Sequence, residues 1–352
     1  MTIVPYLIAV LLTFAAPVTS TEIRDVDVIG DQLVDQSRRP IQLRGVNRSG
    51  IEYPCVQGWG IVDGSVDDVS VAAMRTWGVN SVRIPLNEDC WLGRDGLSPE
   101  LTGPAYRAAV VSYVDRLVAA GMIVVVDLHW TSTGGELADR QRPMPTRERA
   151  LDFWASVASV FESHDTVLFD LFNEPHEVSW GCWRDGCGEY AGTQEIVNAV
   201  RATGATNPMV LSGLDWGGDL SAWGEYRPID PLRSLVAGWH LYDFKGCSDS
   251  QCWEAVSDGV GVAPIVITEF GDTDCDGGFS RPLMEWADSG AVSYLAWSWS
   301  LADCSGGPSL IETNDGRPTE FGRAVRDHLR GVSPLTTPPL PYGAIQPGLI
   351  KK

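Results

Sequence analysis

The chain has 352 residues, with 46 acidic against 26 basic side chains and a formal net charge of −20. A surface so acidic repels a phosphate backbone, and only three lysines occur, two of them the last residues, so nucleic acid is not an expected partner. Fourteen tryptophans are the more informative excess, because a flat apolar ring with one donor suits the face of a sugar; about half of them are expected in the core.

The first twenty residues carry no charge and run apolar from Ile3 to Val18, ending at Pro17-Val18-Thr19-Ser20. This is short for a membrane span and reads as a secretory signal cleaved before Thr21, although no Lys or Arg precedes the apolar run. An uncleaved anchor is the competing reading. The expectation is a secreted, extracellular and monomeric chain with no membrane contact after cleavage. All eight cysteines follow this segment, and an even count behind an export signal favours disulfides. Cys182 with Cys187 and Cys247 with Cys252 are plausible loop staples, which leaves Cys55 with Cys90 and Cys275 with Cys304. Sequence alone does not choose among roughly a hundred connectivities. Zinc is disfavoured, since both close spacings are C-x4-C without a matching His. No metal and no cofactor are expected.

Val26 to Pro40, with Gly30-Asp31 as its turn, predicts a β-hairpin. From residue 41 a rhythm repeats: a β-branched apolar run, a polar or Gly-rich loop, then an amphipathic stretch. The runs are Ile41 to Val46, Asn80 to Ile84, Ile123 to Leu128, Val167 to Phe172, Met209 to Ser212, Leu235 to Trp239, Ile265 to Thr268 and Ser293 to Trp297. Helices are predicted over Asp67 to Trp77, Ala105 to Ala120, Arg147 to Glu162, Gln194 to Thr203, Arg281 to Ser289 and Glu320 to Leu329. Eight such units fit an α/β fold of the closed (β/α)8 TIM barrel type, with an N-terminal β-hairpin before strand 1, better than an open sheet, and no GxGxxG follows the first strand. The expected organisation is a signal peptide at 1–20, a catalytic barrel at 21–331 and a Pro-rich C-terminal tail at 332–352.

In such barrels the reactive groups gather at the carboxyl ends of the strands. Here polar residues follow nearly every run: Asn47, Arg83, His129, Asn173-Glu174-Pro175, Asp215-Trp216, His240 with Tyr242, Glu269 and Trp297. Carboxylates from strand ends four and seven face each other across the mouth, and a retaining glycosidase needs two about 5 Å apart. One must hold a proton while the other stays charged, and Arg83 is the obvious cation to favour the charged one. Asn173 could donate to a sugar 2-hydroxyl. Trp216 and Trp130 are the first candidates for sugar platforms, ahead of Trp59, Trp91, Trp180 and Trp253.

The stations Asn80-Ser-Val-Arg83-Ile-Pro85, Asp127-Leu-His129, Phe172-Asn-Glu-Pro175, His240-Leu-Tyr242, Thr268-Glu-Phe-Gly271 and Ala296-Trp-Ser-Trp299 resemble glycoside hydrolase family 5 in order and spacing, over residues 41 to 330. The resemblance implies retaining hydrolysis of β-linked sugars without a metal. It implies Glu174 as acid/base and Glu269 as nucleophile, with Arg83, His129, Asn173, His240, Tyr242 and Trp297 around the cleaved sugar. Tyr242 would steer Glu269, and Trp297, rather than Trp299, would floor the subsite. Arg44-Gly-Val-Asn-Arg-Ser-Gly-Ile-Glu52 resembles the first-strand loop of bacterial cellulases, but Arg48 and Ser49 stand where those often carry aromatics. The expected substrate is a β-linked polysaccharide or oligosaccharide, and the expected activity endo-β-1,4-glucanase. A β-mannanase, an exo-β-glycosidase, a glycolipid glycosidase or a non-catalytic carbohydrate-binding barrel are the alternatives.

Overall fold

A computed structural model of the protein describes residues 22–301, 304 and 307–332. The predicted signal peptide and, beyond Val332, the Pro-rich tail lie outside the described residues. Eleven strands occur among those described. Strands β1 (Val26–Ile29), β2 (Gln32–Asp35) and β3 (Pro40–Ile41) form an antiparallel sheet. The eight others close a parallel barrel: β4 (Arg44–Asn47), β5 (Ser81–Asn87), β6 (Ile123–Trp130), β7 (Val167–Asp170), β8 (Met209–Ser212), β9 (Leu235–Tyr242), β10 (Ile265–Gly271) and β11 (Ser293–Ala296). The predicted (β/α)8 barrel with a preceding hairpin is therefore the fold.

Strand boundaries differ from the sequence reading in two ways, each with a physical reason. Ile41 pairs with Leu33 in the small sheet rather than opening the barrel, so the first barrel strand begins at Arg44. The strands β5, β6, β9 and β10 run two or three residues past the apolar stretch, because the polar side chains at their ends point into the barrel mouth while their backbone stays paired.

The connecting helices are α1 (Asp68–Trp77), α2 (Glu88–Leu92), α3 (Pro104–Ala119), α4 (Arg147–Phe161), α5 (Trp180–Asp185), α6 (Thr193–Ala202), α7 (Trp223–Tyr226), α8 (Ser250–Val260), α9 (Ser280–Ser289) and α10 (Glu320–Gly331). In α1, Asp67 caps the amide of Ser70 at 2.9 Å and Gly78 ends the helix in the left-handed region. Its buried Val71, Met74 and Trp77 recur every third residue and face the barrel wall. The sequence reading omitted α2, α5, α7 and α8; the first three are of six residues or fewer, too short to show a periodic stripe.

The core has two parts. A large shell packs helices on the outside of the strands. A smaller cluster fills the barrel interior with Ile123, Val125, Leu168, Val210, Val236, Val266 and Leu295, and Val26, Leu33 and Leu43 close it from below. The hairpin is thus the plug of the barrel's N-terminal end, which leaves the opposite end open for a site. Strand alternation carries the same inward face upward: on β6, Ile123 and Val125 belong to the interior cluster and Asp127 and His129 come next on that face.

All eight cysteines pair, as Cys55–Cys90, Cys182–Cys187, Cys247–Cys252 and Cys275–Cys304. No helix among the described residues is long and apolar enough to cross a membrane.

Candidate active site

Strand register assembles the site. Asn47 on β4 lies beside Arg83 on β5, Asp127 on β6 beside Asp170 on β7, and His240 on β9 beside Glu269 on β10. On β10 the pairing with β9 slips between Ile267 and Glu269, leaving Thr268 as the extra residue of a bulge. Such a bulge bends the strand and re-aims the next side chain, here Glu269.

Arg83 is fully buried and every arm of its guanidinium is used. Nε donates to Asp170 at 2.9 Å, Nη1 to Asn47 Oδ1 at 2.9 Å and to Glu269 Oε1 at 2.7 Å, and Nη2 to Asn173 Oδ1 at 2.7 Å. Asp127 stands 3.1 Å from Nη2. Burial works against the cation, but Asp127, Asp170 and Glu269 outweigh it and raise its pKa above the ordinary arginine value. The second oxygen of Glu269 accepts from the Tyr242 hydroxyl at 2.7 Å. Burial, and then Glu269, push that phenol well above its usual pKa, so it stays a donor.

Glu174 hangs in the segment after β7, where the amide of Asn173 donates to Leu128 O at 3.0 Å and the carbonyl of Pro175 accepts from Trp216 at 3.1 Å. Its Oε1 lies 3.0 Å from His240 Nδ1, and its Oε2 accepts from Gln141 Nε2 at 2.9 Å. Burial raises its pKa; His129, Lys245, Arg83 and His176 pull the other way without cancelling the rise. Burial lowers the pKa of His240 to about 3, so the imidazole is neutral and a proton on Nδ1 serves Glu174 as donor. Carboxylate oxygens of Glu174 and Glu269 lie within 4.8 Å of each other.

The backbone beneath this pair is tight. Asp215, Trp216 and Gly217 are all left-handed, with φ of 52°, 58° and 73°. A side chain on Gly217 would start 2.7 Å from the His240 ring, so only glycine fits. This turn presents Trp216, 38% exposed and stacked on His176 with ring centres 3.5 Å apart. Lys245 Nζ ties the turn from above, donating to the carbonyls of Asp215 at 3.0 Å and Trp216 at 2.7 Å. Glu174, Trp216, Tyr242, Phe244 and Lys245 line a cavity of about 540 Å³ here. Across the ring of strands, His129 stacks on Trp297 at 5.4 Å and donates from Nδ1 to the carboxylate of Asp127 at 2.7 Å. Burial lowers the pKa of His129, and Asp127 more than restores it, for a net rise.

Of the sequence-predicted residues, Arg83, Asn173, Tyr242 and Glu269 share one hydrogen-bonded cluster, which His129 joins through Asp127 and Arg83, and Glu174 and His240 share a second; the two meet where His240 Nδ1 stands 3.6 Å from Glu269 Oε2. Trp130 sits further out, 6.3 Å from Tyr53, which in turn lies 6.0 Å from the exposed Trp59. Trp299 points away from the mouth: it is buried on Trp77 and donates to Ser70. Trp91 and Trp253 are core residues, fixed by Ser156 and the Cys247 carbonyl. Arg48 is a loop brace whose guanidinium donates to the carbonyls of Asp63 and Ser65, so the aromatic surface beside β4 comes from Tyr53 and Trp59 instead. Sequence reasoning missed Asp170 and Gln141. A carboxylate inside the apolar run Val-Leu-Phe-Asp was a signal for Asp170; Gln141 lies in a long loop with none.

Among the described residues two groups could offer ligands to a cation, Glu174-His240-Glu269 and Asp272-Asp274-Asp276. In the first, Arg83 already stands 2.7 Å from Glu269 and would repel one. In the second, Asp272 is occupied by the amide of Phe279 at 2.7 Å and by the hydroxyl of Ser280.

Comparison with known proteins places the chain among glycoside hydrolases. Residues 34–303 match the family described as cellulase (glycosyl hydrolase family 5), and the chain belongs to that family. It is 23% identical over 341 residues to an endoglucanase of Clostridium saccharobutylicum, covering 91% of this chain and 68% of that protein. It is 24% identical over 336 residues to a mannan endo-1,4-beta-mannosidase of Streptomyces lividans, covering 90% and 78% respectively. Among solved structures, the beta-glucanase SdGluc5_26A of Saccharophagus degradans in complex with cellotetraose superimposes with a TM-score of 0.68 at 18% identity, over 91% of this chain and 97% of that one.

Proposed function

We propose that the chain is a secreted endo-β-1,4-glucanase that hydrolyses its substrate with retention, Glu269 as nucleophile and Glu174 as acid/base. The observation that carries this reading is the approach of the two carboxylates to within 4.8 Å, the short separation that direct attack on the anomeric carbon requires. In the first step an oxygen of Glu269 attacks that carbon while Glu174 gives its proton to the departing glycosidic oxygen. Glu174, now ionised, then takes a proton from water, and the water oxygen displaces Glu269.

The surroundings suit both roles. Arg83 and Tyr242 each hold one oxygen of Glu269, which fixes it for attack and supplies countercharge when the carboxylate leaves. Burial favours the protonated form of Glu174 needed at the start. Asn173 uses Oδ1 on Arg83 and has no protein partner for its buried Nδ2, which suits a sugar hydroxyl. A glucan as substrate rests on the endoglucanase relative and on the cellotetraose held by the structural neighbour. Internal cutting is supported by aromatic rings on both sides of the carboxylates: Tyr53, Trp59 and Trp130 beside β4 and β6, and Trp216 and Phe244 beside β8 and β9. Export is supported by the complete pairing of cysteines.

The test is product analysis of the chain from Thr21 on carboxymethyl cellulose, β-mannan, mixed-linkage glucan and aryl β-glycosides, with Glu174→Gln and Glu269→Gln as controls. A rapid viscosity loss on the cellulose derivative, absent in both variants, is expected. Activity confined to mannan or to small glycosides overturns the substrate, and full turnover in either variant overturns the mechanism.

A further inference from the structure

Gln141 lies in the long segment between β6 and α4, yet its amide reaches the carboxylate of Glu174. The segment is anchored from the side. Asn87 donates to the carbonyl of Ala138 at 2.7 Å, and Asp89 accepts from the amide of the same residue at 2.8 Å, both buried. Arg142, one residue beyond, is paired with Glu136 at 2.7 Å, which leaves the neutral amide of Gln141 as the group this loop presents to Glu174. Gln141 Nε2 donates to Glu174 Oε2, while Gln141 Oε1 is buried and has no hydrogen-bond partner.

A carboxyl that is an acid in one step and a base in the next must be held in two protonation states. A cation beside it would favour only the ionised form and a second carboxylate only the protonated one. A primary amide serves both: its N–H donates to the carboxylate, and after a half-turn its carbonyl accepts from the carboxylic acid. Glu174 already has Arg83, His129, His176 and Lys245 as positive or titratable neighbours and Glu269 as a negative one, with His240 on its other oxygen. The remaining oxygen is the one that Gln141 meets.

We infer that Gln141 is a positioning residue for the general acid/base, holding Glu174 Oε2 as donor when that carboxyl is ionised and as acceptor when it is protonated. The inference rests on the assignment of Glu174 above. The measurement is kcat/KM against pH for Gln141→Leu and Gln141→Glu, on two aryl β-glycosides cleaved by the wild type, one leaving as dinitrophenolate and one as a poor phenolate leaving group. Because a dinitrophenolate departs without a proton, Gln141→Leu is expected to lose about tenfold on the poor leaving group and less than about twofold on the other. Leucine removes a hydrogen bond from both states of Glu174, but the bond to the ionised form is the stronger, so the alkaline limb should move up by about half a pH unit, and further in Gln141→Glu, where a negative charge is added.

Equal losses on both substrates with the limb unmoved would reduce Gln141 to a structural contact, and wild-type behaviour of Gln141→Leu would remove the role altogether. Glu174→Gln, run beside them, separates the two readings. If it too loses equally on both leaving groups and azide does not restore turnover, the assignment of Glu174 falls, whatever Gln141 does.

Discussion

Arg83 and Glu269 meet at 2.7 Å inside the barrel, one from β5 and the other from β10, with Asp127 and Asp170 packed against the same guanidinium. Three carboxylates therefore share one buried cation. Removing that cation while leaving its partners costs about 3–5 kcal/mol, because buried charges are then uncompensated. Arg83→Leu is expected to lower the urea midpoint sharply or to prevent folding. Arg83→Lys keeps the charge but loses the fork that reaches Asn47, Asn173 and Glu269 together, so it should fold and lose most of its kcat. Denaturation curves and steady-state kinetics on the same preparations check both outcomes.

Tyr242→Phe isolates one hydrogen bond. The ring and its packing remain, while Glu269 Oε2 loses its donor. A hydrogen bond to a charged group contributes about 1.5–3 kcal/mol, which corresponds to a loss of roughly ten- to a hundredfold in kcat. KM should change little if the bond steadies the nucleophile, and a change confined to KM would contradict that role.

His240 gives a pH dependence of stability with a definite sign. Its pKa is about 3 in the folded chain, lowered by burial from an ordinary 6.5. Between those values the unfolded chain binds more protons, so the contribution is complete above about pH 6.5 and is lost as the pH falls toward 3. The buried His129, shifted upward, works in the opposite direction, and comparison with a variant removes its effect. The unfolding free energy of the wild type should fall faster with acid than that of His240→Asn across this window; parallel curves would show that His240 is not held neutral.

Trp216 and Trp299 separate recognition from scaffolding. Trp216 is 38% exposed on the rim, so Trp216→Ala should raise KM for oligosaccharides severalfold and move the melting temperature little. Trp299 is buried on Trp77 with its indole N–H on Ser70, and Trp299→Ala should cost about 3–5 kcal/mol of stability. A thermal melt and an oligosaccharide titration of each variant would distinguish them.

The barrel was legible in the sequence because each strand is a β-branched run long enough to stand out, and because polar residues interrupt these runs near their ends. The same interruptions obscured where the strands stop. Tyr242 and Gly271 end strands whose apolar portions finish three residues earlier, since the pairing of backbone continues under side chains turned toward the mouth. Glu174 and Glu269 were readable from motifs with fixed neighbours. Gln141 was not: its approach to Glu174 depends on Asn87 and Asp89 gripping Ala138 some fifty residues away in the chain, a tertiary relation with no local pattern. The braced Arg48 was misleading for a related reason, since its position in the loop suggested the cleft while its guanidinium turned inward to the carbonyls of Asp63 and Ser65.

The bulge at Thr268 and the strand-borne cluster around Arg83 have a consequence for how this scaffold can change. Asn47, Arg83, Asp127, Asp170 and Glu269 all belong to paired strands, whereas Tyr53, Trp59, Trp216 and Phe244 lie in the loops above them. The proposed nucleophile and the side chains that brace it are therefore carried by strands and the candidate sugar platforms by loops, with the proposed acid/base Glu174 and its partner Gln141 in loops of their own. Exchange of the loop that bears Tyr53 and Trp59 should therefore leave the facing carboxylates as they are, whereas exchange of the loops that bear Gln141, Glu174 or Trp216 would disturb them, so new specificity is grafted most simply on the β4 side of the mouth.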